Sequence, residues 1–333
     1  MKKTQSNLVH KEDEILFQSL RALNWDEFIG QNTIRKSLQL SIKAAKQRHE
    51  SLDHTLLFGP PGLGKTTLAH LIAQGMESEI RVTSGTALSK TGDLAAILTN
   101  LKDGDILFID EIHRLPKIVE ETLYPAMEDF GLDIVIGKGP SARTVRLDLP
   151  KFTIIGATTR FGLLTGPFRD RFGLIHRLAY YQPESLAEIT TRAAKKLKIK
   201  IDQQSALEIG QRSRGTPRIA LKLLKRVRDY AQVNGSNQID SNQVYESLKM
   251  FAIDQKGLDQ IDRRLLKKLI KHYHGGPVGL TTMAASLSED AGTIEEVIEP
   301  YLLQIGFLKR TPKGRVVTEV AYKHLGKKYP EEK

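Results

Sequence analysis

Cysteine is absent from this chain of 333 residues, which excludes disulfides, thiolate zinc sites and cysteine nucleophiles. The nine histidines show no spacing typical of metal ligands, so we predict no zinc site. Internal repeats, low-complexity segments and an N-terminal apolar run suited to a signal peptide are also missing. No apolar stretch approaches the roughly 18 residues of a membrane span. We therefore expect a cytoplasmic protein without a membrane-spanning segment.

Acidic residues are fewer than basic ones. The chain has 39 aspartates and glutamates against 50 lysines and arginines, which gives a net charge of +11. The imbalance is concentrated at residues 305–333, where eight basic residues accompany three glutamates. Such a chain favours an anionic partner such as nucleic acid, although many basic proteins have none. The length suffices for two or three domains with ordinary cores.

Residues 59–66 match the phosphate-binding pattern G-x-x-x-x-G-K-[ST] at every fixed position. The apolar run His54–Phe58 before them is typical of a buried strand, and Thr67–Ala73 after them is typical of a helix. Glycines let backbone N–H groups close around phosphate oxygens, and the helix N-terminus adds positive potential. Lys65 would meet the β- and γ-phosphates, and the Thr66 hydroxyl would bind Mg²⁺. The alternative, a glycine-rich turn with a chance lysine, is disfavoured by a second motif downstream.

That second motif is an apolar strand ending in two carboxylates, Asp110 and Glu111. The four consecutive apolar residues 106–109 predict a strand buried on both faces of a parallel sheet. Ligands of open α/β sheets bind at the C-terminal ends of the strands. Asp110 would hold Mg²⁺, directly or through water, and Glu111 would polarise the attacking water. The acidic pair could instead be a solvated turn or a helix cap, but the two motifs in this order favour hydrolysis as well as binding.

Short β-rich runs alternate with helical segments between residues 54 and 178, which predicts a parallel, doubly wound sheet. An amphipathic helix, Asn32–Lys46, precedes it, and a β-hairpin at Asp133–Leu147 with a Gly/Pro-rich turn interrupts the alternation. Five strands are expected, at His54–Phe58, Glu79–Thr83, Asp105–Ile109, Phe152–Ala157 and Leu174–Leu178.

From Pro183 the pattern predicts a small all-helical domain, followed by a linker at residues 254–257. The last section predicts three helices and then a basic hairpin whose type I turn is Thr311–Gly314. Three helices followed by such a hairpin describe a winged helix, a common DNA-binding form. The predicted domains are an α/β domain at 1–181 with the hairpin inserted at about 131–148, a helical domain at 182–253 and a winged helix at 254–333.

Four further polar residues could serve the same site. Thr158 closes a buried strand beside that of the acidic pair and could orient water, although a threonine there is also an ordinary turn residue. Arg169 and Arg171 precede the last strand and could reach the γ-phosphate of a neighbouring subunit, or pair with Asp170 at the surface. Arg218 lies in the first turn of a helix, where a cation is unfavourable. A bound phosphate would explain a cation at this position. The alternative is that Arg218 is simply solvated.

With these pieces in order, the chain resembles the ATPases of the AAA+ superfamily and, within it, the RuvB family of Holliday junction branch-migration motors. The resemblance extends from about Leu20 to Gly326. The phosphate loop alone indicates only the superfamily, whereas the full series of motifs is specific. The segments that carry it are 27–31, 92–101, 110–115, 214–220 and 310–315.

The resemblance implies a hexameric ring that hydrolyses ATP with Mg²⁺ and pulls duplex DNA in recombination and repair, together with RuvA and RuvC. It implies that the hairpin at 131–148 docks on RuvA. It also implies that Thr158 is the first sensor, that Arg171 rather than Arg169 is the finger acting in trans, and that Arg218 is the second sensor. Nucleotide contacts are implied for Leu20, Arg21, Gly62, Gly64, Lys65, Thr66, Thr67, Tyr181 and Arg218, and DNA contacts for Arg310 and Arg315.

We therefore predict an ATP-driven DNA translocase in which Glu111 activates water and Arg171 of the next subunit completes the site. Two alternatives remain, and the second belongs to a different functional class. One is a different ATPase that acts on DNA, such as a clamp loader or replication initiator, which would lack this wing. The other is a DNA-binding regulator that uses ATP only as a switch, which would have no need of Glu111.

Overall fold

The computed structural model describes residues 18–136 and 143–330. The Gly/Pro-rich turn predicted for the inserted hairpin lies outside these residues. The chain divides into two compact units, one comprising the chain up to Lys196 with Gly215–Leu221, and the other comprising Leu197–Arg214 with Lys222–Lys333. The predicted boundaries of three domains remain predictions. Within the described residues, no helix is both long and apolar enough to cross a bilayer.

The first unit is built on a five-stranded sheet. Its strands are β1 Thr55–Phe58, β2 Ile80–Ser84, β3 Ile106–Asp110, β6 Thr153–Thr158 and β7 Leu174–Arg177. Their order in the sheet is β2-β3-β6-β1-β7, and all neighbouring strands are parallel. The central strands are apolar runs buried on both faces, as expected for a parallel sheet covered by helices. The five predicted strands are confirmed within one residue at each end.

Helices cover both faces of this sheet. The apolar residues of α1 recur at helical spacing, and Leu38 and Ile42 join one core cluster with Leu68 and Ile72 of α2. A second cluster includes Leu123 of α4. The helices of the unit are α1 Asn32–Arg48, α2 Lys65–Met76, α3 Thr91–Leu98, α4 Lys117–Glu128, α5 Gly166–Asp170 and α6 Pro183–Lys196, with a 3₁₀ turn at Ile112–Arg114.

The predicted hairpin is present as β4 (Gly131–Ile136) and β5 (Arg143–Asp148). The two strands are antiparallel and form a sheet of their own, separate from the central one. Leu132 and Leu147 face each other at the base of the hairpin, where Leu132 is buried in the core of the unit.

The segment after Pro183 departs from the all-helical prediction. A short parallel ladder joins β8 (Lys200–Ile201) to β9 (Gln238–Ile239). Ile239 is fully buried while its neighbour Gln238 is exposed, so the alternation is too short to be recognised as a strand from the sequence. The helices here are α7 Gln203–Gln211, α8 Pro217–Val233 and α9 Ser241–Met250.

The C-terminal part forms three helical segments and a two-stranded wing, as predicted. Leu265 and Leu269 of the first helix share a core with Leu308 and Val317 of the wing. The third segment is interrupted by a π turn at Ile294–Ile298, which the sequence did not indicate. The elements are α10 Gln260–Tyr273, α11 Leu280–Leu287, α12 Ala291–Thr293, α13 Glu299–Gln304, β10 Leu308–Thr311, β11 Gly314–Val317 and α14 Glu319–His324.

Candidate active site and candidate DNA interface

The glycines of the loop between β1 and α2 adopt backbone angles that other residues rarely reach. Gly62 and Gly64 have φ of 79° and 99°. A Cβ atom at Gly62 would lie 3.0 Å from the Cβ of Arg218, so this position also requires a residue without a side chain. The loop turns sharply and enters α2 with Gly64 at its N-cap.

The first turn of α2 leaves backbone N–H groups directed at the loop, because no side chain caps this helix. A cavity of about 480 Å³ opens at this point, at the carboxyl edge of the sheet. Nine predicted site residues line it, namely Arg21, Gly62, Gly64, Lys65, Thr66, Thr67, Asp110, Glu111 and Arg218.

Lys65 is buried beside the loop, and its ammonium group donates to the carbonyl oxygens of Gly59 at 2.8 Å and Pro60 at 2.9 Å. Burial lowers the pKa of Lys65, and the negative charges of Glu111 and Asp110 oppose that shift. Lys65 therefore donates to neutral carbonyl groups and not to a carboxylate. A phosphate oxygen can replace these carbonyls as the acceptor without breaking an ion pair.

Asp110 is the last residue of β3, Glu111 follows it, and both line the same cavity. Burial raises the pKa of Asp110, while its hydrogen bond from the Glu111 backbone at 2.9 Å opposes the rise. Glu111 has a φ of 47°, in the left-handed region, which costs energy for a residue with a side chain. Its carboxylate accepts from the Thr159 hydroxyl at 3.1 Å and lies 3.2 Å from Nδ1 of His113.

The donors at this edge fit Mg²⁺ held together with a nucleotide. Mg²⁺ keeps several waters and takes one or two carboxylates in addition to substrate phosphates. Asp110 and Thr66 face the same cavity and supply one carboxylate and one hydroxyl. Within the described residues, no cluster of three or more acidic or histidine side chains could cage a metal by itself. The site therefore suits a cation that arrives with phosphates.

The structure places Thr158 and Thr159 differently. Thr158 is fully buried, lies 2.9 Å from Nδ1 of His113 and accepts from the backbone N–H of Arg160. Thr159 lines the cavity and donates to Glu111. The role predicted for Thr158 remains a prediction, but its neighbour is the threonine that contacts the carboxylate. The sequence pattern could not separate them, because they are adjacent at the end of the same buried strand.

A smaller apolar recess adjoins the cavity and includes two further predicted residues, Leu20 and Tyr181. Both are buried, and the Tyr181 hydroxyl donates to the carbonyl of Leu63 at 3.2 Å. Burial raises the pKa of Tyr181, so it stays a neutral donor. Arg21 lies at the junction of recess and cavity, and burial lowers its pKa despite nearby Asp110. An apolar recess beside a phosphate site suits a nucleobase.

Arg171 is absent from the lining of this cavity. Its guanidinium stacks 4.2 Å above the centre of the Tyr124 ring and lies 3.0 Å from a carboxylate oxygen of Glu128. The ion pair is therefore with α4 and not with Asp170. Arg169 instead lies over the ring of Phe161, at 5.1 Å. Of the two arginines, Arg171 is the one fixed in place by both an aromatic ring and a carboxylate.

The two arginines predicted to bind DNA are register partners across the wing. Both bind the same carboxylate, Glu299, which is fully buried. Arg310 donates to its two oxygens at 2.8 and 3.1 Å, and Arg315 donates at 3.0 and 3.1 Å. Burial alone would raise the pKa of Glu299, but these bonds outweigh it and the pKa lies below its usual value.

Solvent reaches the two arginines unequally, since 52% of the Arg310 side chain is exposed but only 16% of Arg315. This arrangement could not be predicted from the sequence. Glu299 lies in a glutamate-rich segment, a pattern typical of a solvent-exposed helix face. In the folded protein its side chain is instead buried and contacts the wing. The contact of the two arginines with DNA remains a prediction.

Three family models match consecutive parts of the chain. They are the Holliday junction DNA helicase RuvB P-loop domain at residues 20–178, the RuvB AAA lid domain at 181–254 and the RuvB C-terminal winged helix domain at 255–326. These matches confirm the predicted fold class, a P-loop domain with a parallel sheet, a helical lid and a C-terminal winged helix.

Relatives match over nearly the full length. The Holliday junction branch migration complex subunit RuvB of two Chloroflexus aurantiacus strains is 55% identical over 320 residues, which cover 96% of this chain and 91% of the relative. The Thermotoga maritima RuvB Holliday junction branch migration motor matches with a TM-score of 0.85 at 53% identity, over 94% of this chain and 100% of its own. A variant of that Thermotoga protein matches with a TM-score of 0.86. The chain belongs to the RuvB family of AAA+ ATPases.

Proposed function

We propose that this chain is an ATP-driven motor that moves duplex DNA and drives branch migration at Holliday junctions. The observation that carries the proposal is the cavity in which a phosphate-binding loop and the carboxylate of Glu111 face each other. A module that only binds nucleotide has no need of a base there. Family membership supports the DNA substrate, and it argues against a clamp loader, a replication initiator or an ATP-switched regulator.

ATP is the substrate, and each group at the cavity has a distinct role. The N–H groups of the loop and Lys65 hold the phosphates and offset their charge. Glu111 accepts a proton from the attacking water, and its hydrogen bond from Thr159 orients it for that task. Asp110 and Thr66 would hold Mg²⁺, which spreads the charge of the β- and γ-phosphates when bound. Arg218 reaches the same cavity from the N-terminus of α8.

The proposal extends to an assembly. Because Arg171 is held away from its own cavity by α4, we infer that it serves the cavity of an adjacent copy, as in a ring of six. We infer that RuvA docks on the β4–β5 hairpin, which forms a sheet of its own, and that RuvC acts on the same junctions. We infer that a motor acting on Holliday junctions works in the cytoplasm.

One experiment tests this function. The protein is mixed with ATP, Mg²⁺ and a synthetic four-way junction, with and without RuvA, and both ATP hydrolysis and junction migration are followed. We expect hydrolysis that DNA stimulates and migration that requires hydrolysis. Glu111→Gln is the matched control, because it keeps the loop and the shape of the side chain while removing the base. Hydrolysis without any migration under all conditions would contradict the proposal.

A further inference from the structure

One face of α10 has several positive charges and no described ionic partner. Arg264, Lys267 and Lys271 lie at positions i, i+3 and i+7, so they share one side of the helix. All three are exposed. Among the described residues, none of the three makes an ion pair with an acidic side chain. We call this set the α10 face.

The other charged residues of this helix are already occupied. Arg263 donates to the backbone carbonyls of Ala252 and Leu258, and Lys268 donates to the carbonyl of Ser286. The one acidic residue within α10, Asp262, is buried and binds Arg214 at 2.6 Å. The remaining charge on the exposed side of the helix is therefore positive, and no ion pair within the described part of the chain offsets it.

The wing in the same domain offers a contrast. The α10 helix packs against β11, which contains Arg315. The wing arginines are bound to Glu299, and Glu295 lies 3.8 Å from Arg310 and 4.0 Å from Arg315. Carboxylates thus offset the charge of the two wing arginines, whereas no ion pair with a described acidic side chain offsets the charge of the α10 face.

We propose that the α10 face binds the sugar–phosphate backbone of duplex DNA, independently of sequence; this inference rests on the function proposed above. From Arg264 to Lys271 the helix rises about 10 Å, a length that holds about three phosphates of one strand. Lysine is a compact, flexible point charge that suits phosphates better than base edges. A motor that moves along any sequence requires contacts of this kind.

The test replaces all three residues, as Arg264→Gln, Lys267→Gln and Lys271→Gln, because glutamine keeps the helix and much of the side-chain length. Binding to duplexes of two unrelated sequences is measured at several salt concentrations. Three lost phosphate contacts should reduce the slope of log K against log salt by about 2–3 units and weaken binding about tenfold or more near 0.15 M salt. Both duplexes should be affected equally.

The control removes the same net charge elsewhere, as Lys36→Gln, Lys43→Gln and Lys195→Gln. These lysines are exposed on α1 and α6 and have no described ion pair. The control should keep the wild-type slope. If the α10 variant is folded by thermal melting and also keeps the wild-type slope, the inference is wrong while the proposed function stands. If wild-type protein binds no DNA at any salt concentration, the proposed function itself fails.

Discussion

The phosphate loop and the wing both hold cations that the sequence assigns to phosphate, but the partners of those cations differ. Lys65 donates to two neutral backbone carbonyls. Arg310 and Arg315 donate to the buried carboxylate of Glu299. A phosphate that reaches Lys65 replaces neutral carbonyl groups as the hydrogen-bond acceptor. A phosphate that approaches the wing meets guanidinium groups whose charge a carboxylate already offsets.

A basic residue is therefore available to an anion only as far as its existing partner allows. Motif and composition report the residue type, and they do not report the partner. At the loop, Lys65 donates to backbone carbonyls of its own glycine-rich segment, and these partners are neutral. At the wing, Glu299 comes from another element, so the sequence alone could not show that it neutralises the arginines.

Arg171 is a further cation whose partner is known, and its replacement should have the largest effect. It rests on Tyr124 and pairs with Glu128, which is more than half exposed. Arg171→Ala should lower kcat for ATP by about 10³-fold, because the arginine acts mainly on charge that develops in the transition state. Affinity for ATP, measured with a fluorescent analogue, should change little.

Mixing provides the control for a role in trans. Lys65→Ala subunits lack a working loop but have an intact Arg171. Mixed rings with Arg171→Ala should therefore regain part of the hydrolysis that neither variant shows alone. If mixed rings form by cross-linking and no activity returns, Arg171 does not act across the subunit boundary.

Glu299→Gln should have the next largest effect, and on stability. Its removal leaves the largely buried Arg315 with only the more distant Glu295, at 4.0 Å, as a counter-charge, which should destabilise the C-terminal domain by about 3 kcal/mol. Because the folded-state pKa of Glu299 is lowered, the ion pair stabilises above the unfolded pKa and is lost as the pH falls through the folded value. Denaturant unfolding at pH 7 and at acidic pH measures both effects.

Glu295→Gln is the matched control, since this glutamate is 42% exposed and lies 3.8 Å or more from either arginine. Its replacement should change the free energy of unfolding by about 0.5 kcal/mol or less. Equal effects of the two substitutions would show that the buried carboxylate has no special role.

Much of the nucleotide site follows from sequence, because its residues are consecutive. Residues 59–66 contain the loop, its lysine and its hydroxyl, and β3 brings Asp110 and Glu111 to the edge where β1 also ends. What the sequence could not give are contacts between distant segments, such as Thr159 with Glu111. The ladder between β8 and β9 was missed for a similar reason, since its short strands are defined only by each other.

Substitutions of Thr158 and Thr159 test which threonine orients the carboxylate of Glu111. Thr159→Val should reduce kcat about tenfold, because a hydrogen bond to a charged group contributes about 1.5–3 kcal/mol and the carboxylate would lose its orientation. Thr158→Val should mainly lower stability, because the hydroxyl is buried against the backbone of Arg160. Steady-state hydrolysis and thermal melting of both variants separate the roles. A larger loss of turnover in Thr158→Val than in Thr159→Val would instead support the role predicted for Thr158.

The smallest expected effect separates the two arginines of the wing. Arg310 is half exposed, so it can turn one edge to a phosphate while still bonded to Glu299, whereas Arg315 cannot. Arg310→Gln should therefore weaken duplex binding only a few-fold and lower the salt slope by about one unit, the effect of a single phosphate contact. Arg315→Gln should reduce the melting temperature more than Arg310→Gln does, because the guanidinium that it removes is the more buried of the two. Fluorescence anisotropy over a salt series, together with thermal melting, measures both quantities for each variant. If Arg315→Gln lowers the slope and Arg310→Gln does not, then the more buried arginine reaches the DNA, and Glu299 must release it on binding.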